Sequence, residues 1–167
     1  TDPKSLRART GEAMIVHHQN RLDEAEQLQR KVLEDCERAL GPEHDTTCDS
    51  RNNLAQVLEH LSRYDEAQAL LERNLEINTR VHGEEHEETV VSLANLANLI
   101  SLRGDTDRAE RMFRQAIAIR LKKFGPRHRL TLNVQTSLAS VLLTQQRFRE
   151  AAELAEQTLA LQRKTLG

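Results

Sequence analysis

The sequence predicts an all-α protein, a right-handed superhelical solenoid of four antiparallel helix–turn–helix repeats. Three observations carry that expectation. The motif Gly-x-x-His-x-x-Thr returns at a fixed interval of 42 residues, as Gly41/His44/Thr47, Gly83/His86/Thr89 and Gly125/His128/Thr131. A constant period of that size is the signature of a stacked repeat array. Each interval holds two runs of helical periodicity rather than one. Finally, 38% apolar and 2% aromatic residues suit closely packed small side chains, with each unit burying itself against its neighbours instead of one dense centre.

The units run about 1–40, 41–82, 83–124 and 125–167, read together as a single repeat domain. The chain opens on Thr1 and stops on Gly167, the first residue of a further interval, so it is expected to be a piece of a longer protein.

The second unit shows the pattern plainly. Its first helix is expected over about Asp45–Leu61, where Cys48, Leu54, Ala55, Val57, Leu58 and Leu61 recur at threes and fours. Its second is expected over about Tyr64–Val81, carried by Ala67, Leu70, Leu71, Leu75 and Ile77. Within units, the column of Asn20 and Gly104 tolerates the left-handed backbone that closes a helix. Between units, Gly41, Gly83 and Gly125 occupy C′ positions, and Pro42 and Pro126 forbid continuation. Asp65 and Glu66 fall in a first helical turn, where the dipole favours negative charge. Asp2 followed by Pro3 makes a good cap for the opening helix. Loops this short force antiparallel neighbours.

Comparing columns separates core from surface. Ala13, Ala55, Ala97 and Ala139 share one column, and Ala25, Ala67, Ala109 and Ala151 another; small residues there let helix axes approach closely. Val16, Leu58, Ile100 and Leu142 form a third apolar column, and Leu28, Leu70, Met112 and Leu154 a fourth. Glu12 stands where the other units have leucine, and Gly11 weakens the same helix by about 1 kcal/mol. Both suit an N-terminal capping unit. Leu154, Leu159, Leu161 and Leu166 lack a following unit, so end-to-end homo-association is expected.

The formal charge is −2, with −1, −4, 0 and +3 by successive unit, which gives no nucleic-acid footprint over the whole chain. Cys48 falls in a buried column and Cys36 in one that reads as surface. A disulfide is not expected, and a reducing, cytoplasmic setting is. No apolar run reaches membrane-spanning length. His44, His86 and His128 are too far apart in a stack to share one ion, so capping or hydrogen bonding is their expected role. His82 and His86 straddle the Gly83 break, and His17 and His18 point to different sides of a helix. Neither a metal site nor a cofactor is assigned. No phosphate loop, nucleophile elbow or paired-carboxylate context appears, and the chain is not expected to be an enzyme.

The motif, followed by Asn52-Asn53-Leu54-Ala55, Tyr64-Asp65-Glu66-Ala67 and Val81-His82-Gly83, resembles the tetratricopeptide repeat. It is similar to the 42-residue variety of kinesin light chains and of NB-ARC-type signalling proteins. Arg149 departs from it, replacing the acidic residue seen at Asp23, Asp65 and Asp107. The resemblance implies that the first helix of each unit lines a concave groove for a protein or peptide partner. Carried across by column, the groove residues are Arg7, Asp49, Asn52, Asn53, Gln56, Asn95, Asn98, Asn133, Ser137 and Ser140. Amides and hydroxyls dominate, and an asparagine matches both donor and acceptor of a peptide backbone. The expected function is a non-catalytic interaction module. A second reading is the sensor or autoinhibitory region of a STAND signalling NTPase.

Overall fold

A computed structural model describes residues 3–166, with side chains described for residues 5–6 and 8–161. The cap expected at Asp2, the side chains of Arg7 and Leu166, and Gly167 lie outside the described residues. Eight helices form, alternating 16 and 19 residues, with no strand among the described residues. They are α1 (Pro3–His18), α2 (Leu22–Leu40), α3 (Asp45–His60), α4 (Tyr64–His82), α5 (Glu87–Leu102), α6 (Thr106–Phe124), α7 (Arg129–Thr144) and α8 (Phe148–Leu166). They sort into two compact units, Thr1–Gly83 and Glu84–Gly167. In the first, α1–α4 pack consecutively and α1 also touches α3; in the second, α5–α8 do likewise, with α5 against α7.

The recurring motif now has a physical account. Gly41, Gly83 and Gly125 end helices with φ of 90°, 90° and 77° and ψ of 164°, 165° and 177°. Positive φ with extended ψ is effectively reserved for glycine, so these are not left-handed helical closures. The histidine caps the helix that follows. His44, His86 and His128 accept at Nδ1 from the backbone N–H two residues on, at 3.1, 3.3 and 3.4 Å. Threonine ties the helix back to the turn: Thr47 Oγ1 donates to the Gly41 carbonyl at 2.8 Å, and Thr131 Oγ1 to that of Gly125 at 3.1 Å. Left-handed backbone appears instead in the turns within repeats, at Asn20, Ser62 and Gln146, with φ of 60°, 59° and 61°, and at Gly104. Acids enter first turns and bases last turns, with Asp65 and Glu66 opening α4 and Lys122 and Lys123 closing α6.

Both alanine columns are buried, as are Leu58, Ile100 and Leu142 of the third, with Val16 half-buried. Burying one such leucine contributes about 1.5–3 kcal/mol. Leu54, Leu96 and Leu138 are buried while Glu12 in their column is exposed. Two assignments need correction. Leu28 is exposed, and Leu70, Met112 and Leu154 are only half-buried; the covered column is the next one, Gln29, Leu71 and Phe113. Cys36 is fully buried rather than on the surface, packed with Leu6 and Val32. It lies one turn beyond Val32, on the face α2 turns inward, and Asn78 and Arg120 of its column are buried as well.

Candidate functional site

In the first unit, an open cavity of about 320 Å³ is lined by Thr10 of α1 and by Thr46, Asp49, Asn52 and Asn53 of α3. Thr46, Asp49, Asn52 and Asn53 sit at i, i+3, i+6 and i+7, spacings that keep side chains on one helical face. A buried polar network stands behind it. Arg51, 3% exposed, donates from Nη1 to Asn74 Oδ1 at 3.2 Å and from Nη2 to Glu37 Oε1 at 2.8 Å. Asn74 Nδ2 in turn donates to the Cys48 carbonyl at 2.7 Å and to Asn52 Oδ1 at 2.9 Å. The Asn52 amide is therefore oriented from within, presenting its other edge to the cavity.

In the second unit, an open cavity of about 160 Å³ lies among α5, α6 and α7. Its polar lining is Asn95 and Asn98 of α5, Asn133 and Ser137 of α7, and Arg120 of α6. Val91, Ala94, Leu130 and Val134 complete the wall. The Arg120 side chain is 2% exposed, and its Nε and Nη1 are buried without a hydrogen-bond partner. Burial pushes its proton affinity down, partly offset by the charges of Glu87 and Glu88 in the first turn of α5. A third hollow of about 200 Å³, lined by Arg114, Leu138, Leu142, Glu150, Glu153, Leu154 and Gln157, contains none of the expected site residues.

The tetratricopeptide repeat family matches residues 5–72 and 46–122 with one of its forms and residues 131–167 with another. The chain belongs to that family. Solved structures share the fold. A kinesin light chain of Podosopora anserina with nearly identical TPR-like repeats superposes with a TM-score of 0.84 and 28% identity, over 99% of this chain and 79% of that one. BtubC (BKLC) from P. vanneervenii gives 0.83 at 22% identity, over 100% and 67%. The apo form of RapI gives 0.80 at 14% identity, over 99% and 58%. No curated protein matches the chain. The repeats are thus an all-α tetratricopeptide array of the kinesin-light-chain type, a solenoid class.

Of the groove residues expected of this tetratricopeptide chain, Asp49, Asn52 and Asn53 gather in the first cavity, and Asn95, Asn98, Asn133 and Ser137 in the second. Gln56 and Ser140 are exposed on α3 and α7 outside both linings, and Ser140 Oγ donates to the Thr136 carbonyl at 3.3 Å. Arg120 is the residue the column reading passed over. Its spacing held the signal: Phe113, Ala116 and Arg120 recur at i, i+3 and i+7, one buried stripe of α6. Among the described residues, no group of three or more potential ligands is placed to hold a metal ion, and no helix is long and apolar enough to cross a membrane.

Proposed function

We propose that the chain is a non-enzymatic interaction module, its four repeats acting as one domain, that holds an extended peptide or a helix of a partner protein against the first helices of its repeats. The observation that carries this reading is the collection of seven expected residues, drawn from three helices, into two open, amide-rich cavities. Primary amides offer both donors and acceptors at fixed positions, which is what a peptide backbone laid along a helix face requires. The hollows are shallow and carry neither an acid–base pair nor a nucleophile with its base, so recognition, not turnover, fits them. A cytoplasmic setting belongs to the same reading and is supported by Cys36 and Cys48, both free thiols.

The test is the double variant Asn53→Ala, Asn95→Ala. A cross-linked, identified partner is expected to bind it about tenfold or more weakly, from roughly 1 kcal/mol lost per amide, while circular dichroism stays unchanged. Unaltered affinity in a folded double variant overturns the assignment. A second reading, association between copies, is favoured by Leu159, 46% exposed on α8 beside half-buried Leu154 and Leu161. Mass that grows with concentration in light scattering, and that Leu159→Glu abolishes, would establish it.

A further inference from the structure

We propose that the turn between α6 and α7 is a second docking surface, outside both cavities, on which Lys123, Arg127 and Arg129 hold an acidic segment of a partner protein. The surface is separate from the groove and does not depend on it, since these three residues line neither cavity.

The repeat plan sets this turn apart. In the second repeat the opening turn supplies an acid, Glu43, which takes Arg80 of the second helix at 2.7 Å. In the third, Glu85 and Lys122 occupy the same two columns and pair at 2.7 Å. The fourth repeat keeps the base of that column, Lys164, but puts Arg127 in place of the acid. Two residues on, the acids Asp45 and Glu87 give way to Arg129. A turn that is acidic and internally paired in the two preceding repeats has thus become basic. Arg127 and Arg129 are exposed, and neither has a hydrogen bond or ion pair among the described residues.

The turn is also held in shape before anything binds. The Phe124 ring stacks on His128 with centroids 4.6 Å apart, and Lys123 Nζ lies 5.5 Å from the Phe124 centroid. His128 in turn caps α7 by accepting from the Leu130 N–H. Cations carried on a fixed turn lose little freedom on binding. Guanidinium forks match carboxylates through paired hydrogen bonds.

The surroundings select the occupant. Lys122 Nζ reaches Glu85, so the acidic stretch that opens α5, with Glu84 and Glu87, lies beside the basic turn. A flat anionic bilayer or a continuous nucleic-acid backbone laid over the turn meets those carboxylates as well. The aromatic ring on which a base could stack is already covered by His128. A narrow chain of spaced carboxylates meets the cations alone.

The experiment is a nuclear magnetic resonance titration of the whole chain with capped hexaglutamate and capped hexaglutamine, beside a uridine hexanucleotide and vesicles of phosphatidylserine. Hexaglutamate is expected to shift the backbone amides of Lys123, Arg127 and Arg129 saturably, about tenfold or more tightly than hexaglutamine, and to weaken as salt screens the contact. Arg127→Glu with Arg129→Glu is expected to abolish those shifts, while Tm holds or rises because position 127 regains the acid of its column. Asn53→Ala with Asn95→Ala is expected to leave them unchanged, which separates failure of this surface from failure of the groove. Equal binding of hexaglutamine, hexaglutamate shifts centred on Asn95 and Asn133 instead, or full binding by the charge-reversed chain each overturn the proposal. Tighter binding of the nucleotide, or co-sedimentation with the vesicles, overturns it too and names the other partner class. If the charge-reversed chain unfolds, Arg127→Gln with Arg129→Gln replaces it: hexaglutamate affinity falling about tenfold upholds the surface, and unchanged affinity overturns it.

Discussion

The two units share one repeat plan and differ in how each treats a buried arginine. Arg51 in the first unit is enclosed by acceptors, with Nη1 on Asn74 and Nη2 on Glu37. Arg120 in the second is as deeply covered and has two nitrogens without a partner. Identical helix lengths, caps and alanine columns make no distinction between them. A repeat scaffold thus fixes where a side chain is buried, whereas neighbouring columns decide whether its charge is consumed by the fold. The two arginines stand in different columns, Arg51 on the first helix of its repeat and Arg120 on the second, and Leu93 and Gln135 follow Arg51 in its own column.

The largest test of this contrast removes packing rather than charge. Phe113 is fully buried in the second unit, in the column where the first has Gln29 and Leu71. Phe113→Ala is expected to lower stability by about 3–5 kcal/mol in chemical denaturation, through lost transfer energy and the cavity left behind. The arginines come next. Arg51→Met is expected to cost about 3 kcal/mol, because Asn74 is stranded in the core. Arg120→Met is expected to be neutral or to stabilise by about 1 kcal/mol, since no native hydrogen bond is lost and an uncompensated charge is removed. Equal losses for the two methionine variants would erase the distinction between the units.

These sites also show what could be read from residues alone. The repeat, its helix boundaries within a residue or two, the histidine caps and both alanine columns were legible because each has a local cause: a glycine-only turn, a side chain reaching the next N–H, a small residue at a crossing. The column correspondence picked out seven residues that line the two cavities. Arg120 and Cys36 were not legible. Each continues the buried stripe of its own helix, Ala109, Phe113 and Ala116 in α6 and Ala25, Gln29 and Val32 in α2, but the column they share is mostly polar. Polar occupants such as Asn78 and Arg120 make a buried column read as surface in any apolar count.

Gln29 sharpens the point with a smaller effect. It is fully buried in α2, and neither Nε2 nor Oε1 has a hydrogen-bond partner. Gln29→Leu reproduces the residue of its column at Leu71 and is expected to add about 1–2 kcal/mol to stability. A loss on thermal denaturation would mean that the amide is satisfied. In the second unit, Gln146 holds φ at 61° where Gly104 stands in the same turn of the preceding repeat. Gln146→Gly relieves a left-handed conformation that disfavours side chains and is expected to gain about 1 kcal/mol.

The smallest effect separates the units by pH. His17 Nε2 lies 2.6 Å from His60 Nδ1, with the rings stacked at 4.6 Å, and the second unit has Ser101 and Leu143 in the column of His17. Burial, then the neighbouring rings of His60 and His18, lower the pKa of His17 from its ordinary 6.5. Between that lowered value and 6.5 the unfolded chain binds more protons than the folded one, so stability rises with pH across the window and is lost as pH falls through it. The close Nε2···Nδ1 contact requires one proton between the two nitrogens, and a second would place two cations in contact. Tm is therefore expected to drop as pH falls below 6.5 towards the lowered pKa of His17, and His17→Phe to flatten that dependence. Histidine resonances that titrate as they do in free peptide, or an unchanged slope in His17→Phe, would remove the pair as its source. The second unit has no stacked histidine pair among its described residues, so this source of pH dependence is confined to the first.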